Sequence, residues 1–290
     1  MDTFCKTVMT PEESRLIREY VVEKYGLQIE SGREEILSRK LLPRLGQLRL
    51  SSFSEYYAYL KFAPQAAGEL DTFISLLTNN ETYFFREESQ LKAFSHEVLP
   101  SLKEKKLQSG DRTLHILSAG CSTGEEVYTL AMLVFESGCF AWNWDVCVTG
   151  VDVDTDAIAT ARRGIYSGRA FQSTPGRYLK RYFNQCSEGY QVSEGIRSVT
   201  RFMAGNLLNL GSLLPEGGLD IIFCRNVLIY FGDETIKSIL DNFTRYLRDD
   251  GLLFLGHSES LVRLTDRYLP LRMPGAIIYQ CKGQHCHGSR

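Results

Sequence analysis

Apolar side chains in the first quarter of the chain recur every three or four positions, as at Leu16, Ile17, Tyr20 and Val21. That spacing lines one face of an α-helix. Thr10 followed by Pro11-Glu12-Glu13 reads as a helix start, with proline tolerated in the first turn. Further helices are predicted over residues 34–48, 54–62 and 66–77, and no strand alternation interrupts them. The helical period then breaks at Thr78-Asn79-Asn80-Glu81-Thr82, which is followed by Tyr83, Phe84, Phe85 and Arg86. Residues 78–86 read as a linker between a helical domain, 1–77, and a second domain, 87–290.

From Glu87 onward helical periods alternate with short apolar runs, the mark of an α/β domain built on a largely parallel sheet. Strands are predicted over 113–118, 146–151, 220–224, 252–256 and 276–281. Helices are predicted over 91–104, 125–137, 155–163 and 235–247. The irregular stretch 182–202 reads as an insertion, with short strands at 190–192 and 196–199 forming a small hairpin.

Composition narrows the class. The 290 residues suffice for one large or two modest domains, and 43% hydrophobic with 23% charged residues describes an ordinary globular protein. Lys plus Arg, 33, nearly balance Asp plus Glu, 35, so the total charge does not favour nucleic acid or membrane. No signal-peptide pattern opens the chain and no run reaches the roughly 18 apolar residues of a membrane helix, so a cytoplasmic protein is expected. Eight cysteines lie scattered without a CxxC pair, as in a reducing compartment. The tail Cys281, His285, Cys286, His287 could be drawn as a zinc site but lacks the usual loop spacing and reads more simply as a frayed terminus, so no metal is expected.

Ligands of open α/β sheets bind beyond the carboxyl ends of the strands, so the residues after each strand carry the chemistry. After the first comes Ser118-Ala-Gly120-Cys-Ser122-Thr123-Gly124-Glu125-Glu126, in which Ser122 or Thr123 could cap the next helix. This is GxxxG followed by two acids, not GxGxxG; the acids satisfy the helix dipole and repel phosphate, which favours a ligand bearing ammonium or hydroxyl groups. Asp152, after the second strand, is placed to accept both hydroxyls of a ribose, and Asp154 to cap the following helix; both could equally be caps. Arg225 and Asn226, directly behind the buried run Ile221-Ile-Phe-Cys224, need partners that either a cofactor or an internal salt bridge can supply.

The blocks Thr78-Asn-Asn-Glu-Thr82-Tyr-Phe-Phe-Arg86, Ala119-Gly-Cys-Ser-Thr-Gly-Glu-Glu126, Asp152-Val-Asp154, Asn206-Leu-Leu, Phe223-Cys-Arg-Asn-Val-Leu-Ile-Tyr-Phe231 and Gly256-His-Ser-Glu259 resemble, in order and spacing, those of the CheR-type chemoreceptor glutamate methyltransferases. The resemblance spans nearly the whole chain. It implies an all-α N-terminal domain, a linker contributing to the cofactor site, and a Rossmann-like S-adenosylmethionine domain with a small β-subdomain insertion. It also implies cofactor contacts from Asn80, Thr82, Arg86, Gly120, Glu126, Asp152, Asn206, Leu207, Arg225 and Asn226. Two positions depart from the common pattern, Val127 where proline is frequent and Asn79 where threonine is.

The activity so implied is methyl transfer from S-adenosylmethionine to the γ-carboxylate of receptor glutamates, leaving S-adenosylhomocysteine. A glutamate is already ionised at neutral pH, so positioning replaces a general base. Arg86 could hold a carboxylate in its fork, or make a linker-to-domain salt bridge; Tyr230 could wall the reaction cavity, or be a core aromatic. Arg33, Arg39, Lys40, Arg44 and Arg49 fall in or beside one helix, opposed chiefly by Glu34 and Glu35. Such a run is ordinarily a solvated face, but in the resembled family it docks the Glu-rich cytoplasmic helices of methyl-accepting chemoreceptors. The implied insertion could also grip a receptor peptide. Competing functions are a methyltransferase of a small molecule, of nucleic acid or of a non-motility sensory pathway, and a regulatory adaptor that binds the cofactor without turnover.

Overall fold

In the computed structural model Thr10 and Glu13 cap each other. The Thr10 hydroxyl accepts from Glu13 N at 3.2 Å and a Glu13 carboxylate oxygen accepts from Thr10 N at 2.9 Å, starting helix α1, Pro11–Tyr25. Gly26, at φ 73°, closes it. The structure describes residues 8–29, 32, 34–64, 66–78, 80–140, 143–261 and 263–282. They fall into two compact units, one running through position 79 with Tyr230–Gly232 added, the other comprising Asn80–Ile229 and the chain from Asp233 onward.

The first unit continues with α2 (Glu34–Leu48), α3 (Phe53–Phe62) and α4 (Ala66–Leu77). Ile17 and Val21 from α1, Leu37, Leu41 and Leu45 from α2, Phe53, Tyr56 and Leu60 from α3, and Phe73 from α4 contribute to its core, those within a helix at the three- or four-residue spacing that marks one face. The other Glu13 oxygen accepts from Ser54 N at 2.9 Å, tying α1 to the start of α3. Glu69 is buried, and Arg44 donates to it through Nε at 3.0 and 3.1 Å while the Tyr56 hydroxyl donates at 2.7 Å. Tyr230–Gly232 joins this unit from far along the chain: Gln28 N donates to Tyr230 O at 2.7 Å, and Leu27 and Phe231 form an antiparallel bridge.

The second unit opens with α5 (Glu88–Ala93), a single π turn (Phe94–Val98) and α6 (Leu99–Ser109), followed by β1 (Thr113–Ala119), α7 (Glu125–Glu136), β2 (Asp145–Asp152) and α8 (Thr155–Arg163). An insertion holds β3 (Ile165–Tyr166), α9 (Gly176–Tyr182), β4 (Phe183–Cys186), β5 (Gly189–Val192) and α10 (Glu194–Arg197). The main chain of elements resumes with β6 (Thr200–Ala204), β7 (Leu219–Cys224), α11 (Asp233–Tyr246), β8 (Leu247–Leu255), β9 (Tyr268–Met273) and β10 (Ala276–Cys281). The main sheet runs β6-β2-β1-β7-β8-β10-β9. Its first five strands are parallel, and β10 and β9 are antiparallel to their neighbours. Every residue of β7 is buried, as a central parallel strand demands. The chain turns one way from β1 to β2 and the other way through β7 to β8, so the switch point lies between the carboxyl ends of β1 and β7.

Three expectations need correction. The insertion begins at Ile165, well before 182, because β3 pairs with β5 to make a three-stranded sheet β3-β5-β4. The strand expected at 196–199 overlaps instead the short helix α10, and the next residues form β6, the edge of the main sheet. The linker aromatics are core residues of the second unit. Phe84 is fully buried against Tyr166, Phe171 and Phe183, and Phe85 lies 4.4 Å from Tyr178 between ring centroids. Cys281 is buried in β10, whereas His285, Cys286 and His287 lie outside the described residues, as do Arg33 and Asn79.

At the end of the sheet opposite the switch point, Lys106 is buried with its Nζ 2.9 Å from Asp111 and 2.6 Å from Asp220, and Arg248 pairs with Asp111 as well. Burial opposes ionisation of Asp111, but hydrogen bonds from Lys106, from the Thr113 N–H and hydroxyl, and from Arg248 outweigh it and hold its carboxyl well below the usual range. A depressed folded-state pKa stabilises above the unfolded-state value, and the benefit is lost as pH falls towards the folded value. Asp111→Asn should therefore be about 1–2 kcal/mol less stable at pH 7, with the deficit shrinking below about pH 4. Urea unfolding of both proteins at pH 7 and pH 3 checks this; a deficit independent of pH would refute it.

Candidate cofactor site

The turn after β1 is set by Gly120, at φ 75°. A Cβ there would stand 2.5 Å from a Val227 methyl, so both conformation and space call for glycine. The N–H groups of Gly120 and Cys121 donate to Val151 O at 2.8 and 3.1 Å, folding the turn over the end of β2. The cap of α7 is Gly124 itself, at φ 94°, and not Ser122 or Thr123. Thr123 donates to Glu125 at 2.7 Å, while the Ser122 hydroxyl donates to the Asn80 side-chain oxygen at 3.2 Å. Burial raises the pKa of Glu125 above the ordinary range.

The two acids after β2 divide their work. Asp154 Oδ1 caps α8 by accepting from Asp156 N and Ala157 N, and its Oδ2 accepts from Asn80 Nδ2 at 2.6 Å. Asp152, 8% exposed, takes Ser122 N on Oδ2 at 2.7 Å and Asp154 N on Oδ1 at 2.9 Å. Burial raises its pKa; these backbone donors pull against that, and the Asp154 charge reinforces it. Gly205 N donates to the Asp152 carbonyl, which brings the loop after β6 to the same place. In that loop Asn206 Oδ1 accepts from Leu208 N at 2.9 Å and Leu207 is buried.

Behind β7, Arg225 is buried with Nη1 3.0 Å from Glu126 and Nη2 3.2 Å from Glu87, and Nη2 also donates to the Arg86 carbonyl. Of the two partners the sequence left open, the internal salt bridge is therefore present. Glu126 also accepts from the Ser118 hydroxyl at 2.8 Å. Burial raises its pKa, and Arg225 and Ser118 pull it back. The side-chain nitrogen of Asn226 donates to Glu87 at 3.3 Å. Arg225 Nε and Gln90 Oε1 are buried and make no hydrogen bond among the described residues. Arg86 donates to the Glu81 carbonyl at 2.8 Å, its guanidinium 5.7 Å from the Tyr83 ring centroid. Thr82 is half-buried on the same segment.

Gly120, Asp152, Asn206, Leu207, Arg225 and Asn226 thus lie at the carboxyl ends of β1, β2, β6 and β7, with Asn80 bonded in from the segment before α5 and Glu126 from the first turn of α7. Tyr230 is placed by its backbone in the first unit. Non-glycine residues held at positive φ cluster on these loops: Phe85 at 62°, Glu87 at 58°, Ser122 at 48° and Asn226 at 60°. Such strain concentrates where a ligand is held. Sequence reasoning missed Glu87, Gln90 and Glu259 as members of the network. Glu87 directly follows Arg86, and Glu259 stands in a quoted block, but their partners lie far away in the chain.

Among the described residues Glu87 and Glu126 pair with the same guanidinium, that of Arg225, a charge balance that repels phosphate and suits a cation. Each Asp152 oxygen takes one backbone donor and keeps a lone pair, which fits a vicinal diol. Among the described residues no group of three or more His, Cys, Asp or Glu could hold a metal ion, and no helix is long and apolar enough to cross a membrane.

The sheet order and the glycine turn after β1 give an open α/β domain whose ligand site lies at the carboxyl ends of the strands, and the family matched along the chain makes it a methyltransferase that uses S-adenosylmethionine (SAM). The chain belongs to the CheR methyltransferase family. The model of the family's SAM binding domain matches residues 80–276, and that of its all-alpha domain matches residues 12–78. Chemotaxis protein methyltransferase 2 of Vibrio cholerae is 36% identical over 89% of this chain and 88% of its own length. Chemotaxis protein methyltransferase of Escherichia coli is 33% identical over 88% of this chain and 86% of its own. The Pseudomonas aeruginosa protein named "Probable biofilm formation methyltransferase WspC" is 32% identical over 92% of this chain, which spans 61% of that protein.

Proposed function

We propose that the protein is a chemotaxis methyltransferase that esterifies glutamate side chains on the cytoplasmic helices of chemoreceptors. The observation that carries this is the union of the all-alpha and SAM binding domains along most of the chain, at 36% and 33% identity to two chemotaxis methyltransferases. Bound SAM supplies an electrophilic methyl group on a sulfonium centre. The protein's part is to bind, orient and exclude water. Asp152 accepts the ribose hydroxyls, with Asn80 and Ser122 keeping the glycine turn against it; Asn206 and Leu207 border the base; Thr82 and Arg86 close the linker side. Glu126 and Glu87 keep lone pairs for the ammonium, while Arg225 bridges the two acids and Asn226 donates to Glu87. The acceptor arrives ionised, so alignment does most of the catalysis, and well-aligned reactants can supply about 7–11 kcal/mol.

On α2, Arg39 and Lys40 are exposed, as is Arg49 just beyond the helix. These are the charges we assign to docking acidic receptor helices. Arg44 is not a free docking charge, because its guanidinium is committed to buried Glu69. With SAM labelled in its methyl group, the protein should place base-labile label, released as methanol, on a receptor cytoplasmic fragment. Arg39→Glu with Lys40→Glu should raise KM about tenfold at low salt and leave kcat unchanged. A protein that binds S-adenosylhomocysteine yet leaves no base-labile methyl on any receptor fragment tried would overturn the substrate assignment. The WspC likeness supports a second setting, a sensory pathway other than motility, and the receptor that accepts label decides between them.

A further inference from the structure

Glu259 lies in the turn after β8 and spends its whole carboxylate on backbone. Its Oε2 accepts from Gly256 N at 2.6 Å and Asn226 N at 2.9 Å; its Oε1 accepts from Val227 N at 2.9 Å and Leu228 N at 2.7 Å. Three of these donors are consecutive residues of the loop after β7, converging beside Asn226 at φ 60°. Successive N–H groups so turned make an anion-binding nest, here filled from within the chain. Gly256 permits the approach, since a Cβ there would stand 2.7 Å from Glu259 Oε2 and 2.8 Å from Asn226 N.

The nest adjoins the network behind β7. Asn226 reaches Glu87 through its side chain, and Arg225, one residue earlier, spans Glu87, Glu126 and the Arg86 carbonyl. We propose that Glu259 is a positioning residue for methyl transfer: by filling the nest it fixes the backbone from which Arg225 and Asn226 orient the acids of the cofactor site, while touching neither cofactor nor acceptor. Without the carboxylate, four aligned donors lose their common acceptor and the loop loses the contact that holds Asn226 at positive φ.

This rests on the methyl-transfer assignment, but only the turnover measurement needs a receptor substrate. In the full chain, Glu259→Ala should bind S-adenosylhomocysteine about tenfold more weakly by calorimetry. Its kcat per titrated site should fall about 30- to 100-fold, with KM for the receptor fragment unchanged. Added formate should recover much of the affinity by re-entering the nest, whereas formamide should not. Glu259→Gln, whose amide oxygen can serve one pair of donors while its NH2 faces the other, should fall between. Wild-type affinity and turnover in a folded Glu259→Ala protein would overturn the proposal. So would losses that merely follow the thermal midpoint and do not respond to formate. If the alanine variant does not fold, wild-type affinity in Glu259→Gln would overturn it equally. Should the wild type bind the product but fail to methylate receptor, the substrate assignment falls, and the affinity and formate measurements still decide the role of Glu259.

Discussion

Arg225→Ala is expected to lower unfolding stability by about 3–5 kcal/mol, because removing one partner of a buried ion pair strands the other. The Arg225 side chain is only 3% exposed and those of Glu126 and Glu87 are 17% and 19% exposed, so solvent screens the group little. The substitution also deprives the Arg86 carbonyl of its donor. The pKa of Glu126, already raised by burial, would climb further without the guanidinium. Adding Glu126→Gln to Arg225→Ala should recover part of the loss, since a neutral amide does not repel Glu87. Denaturant unfolding of both single variants and the double variant measures the coupling. A loss below about 1 kcal/mol for Arg225→Ala would show that the pair is not the buried anchor described here.

Asp152→Asn should weaken binding of S-adenosylhomocysteine about a thousandfold. Hydrogen bonds to a charged group contribute about 2 kcal/mol each, and two ribose hydroxyls are assigned to this carboxylate. The amide cannot replace it even as an isostere: Ser122 N and Asp154 N approach different oxygens, so an NH2 in place of either would face an N–H donor. Calorimetric titration gives the affinity, and the thermal midpoint of the free protein separates a loss of ligand contacts from a loss of fold. An affinity within about fivefold of wild type would remove Asp152 from the ribose.

Much of this architecture could be read without coordinates, where the physics is local. Thr10 and Glu13 lie one turn apart, so their reciprocal capping is written in four residues. The apolar run Ile221–Cys224 announces a central strand, and the place of Asp154 before a helix announces its cap. What stayed hidden depends on distant partners or on very short elements. β3 has two residues and acquires its identity only by pairing with β5. β6 carries Thr200 and Arg201 at the sheet edge, where no apolar run is required. Arg44 looked like a surface charge because Glu69 lies far along the chain. That Arg225 needs partners was legible, but not which partners, since Glu87 and Glu126 approach from separate segments.

The backbone pairing of Leu27 and Gln28 with Tyr230 and Phe231 carries a consequence for biosynthesis. The helices of the first unit leave the ribosome early, yet the segment that completes this unit follows roughly two hundred residues later, a closure of high sequence separation and slow formation. The nascent helical bundle must therefore wait, with the backbone of Gln28 unsealed, until residues 80–229 of the second unit have been translated.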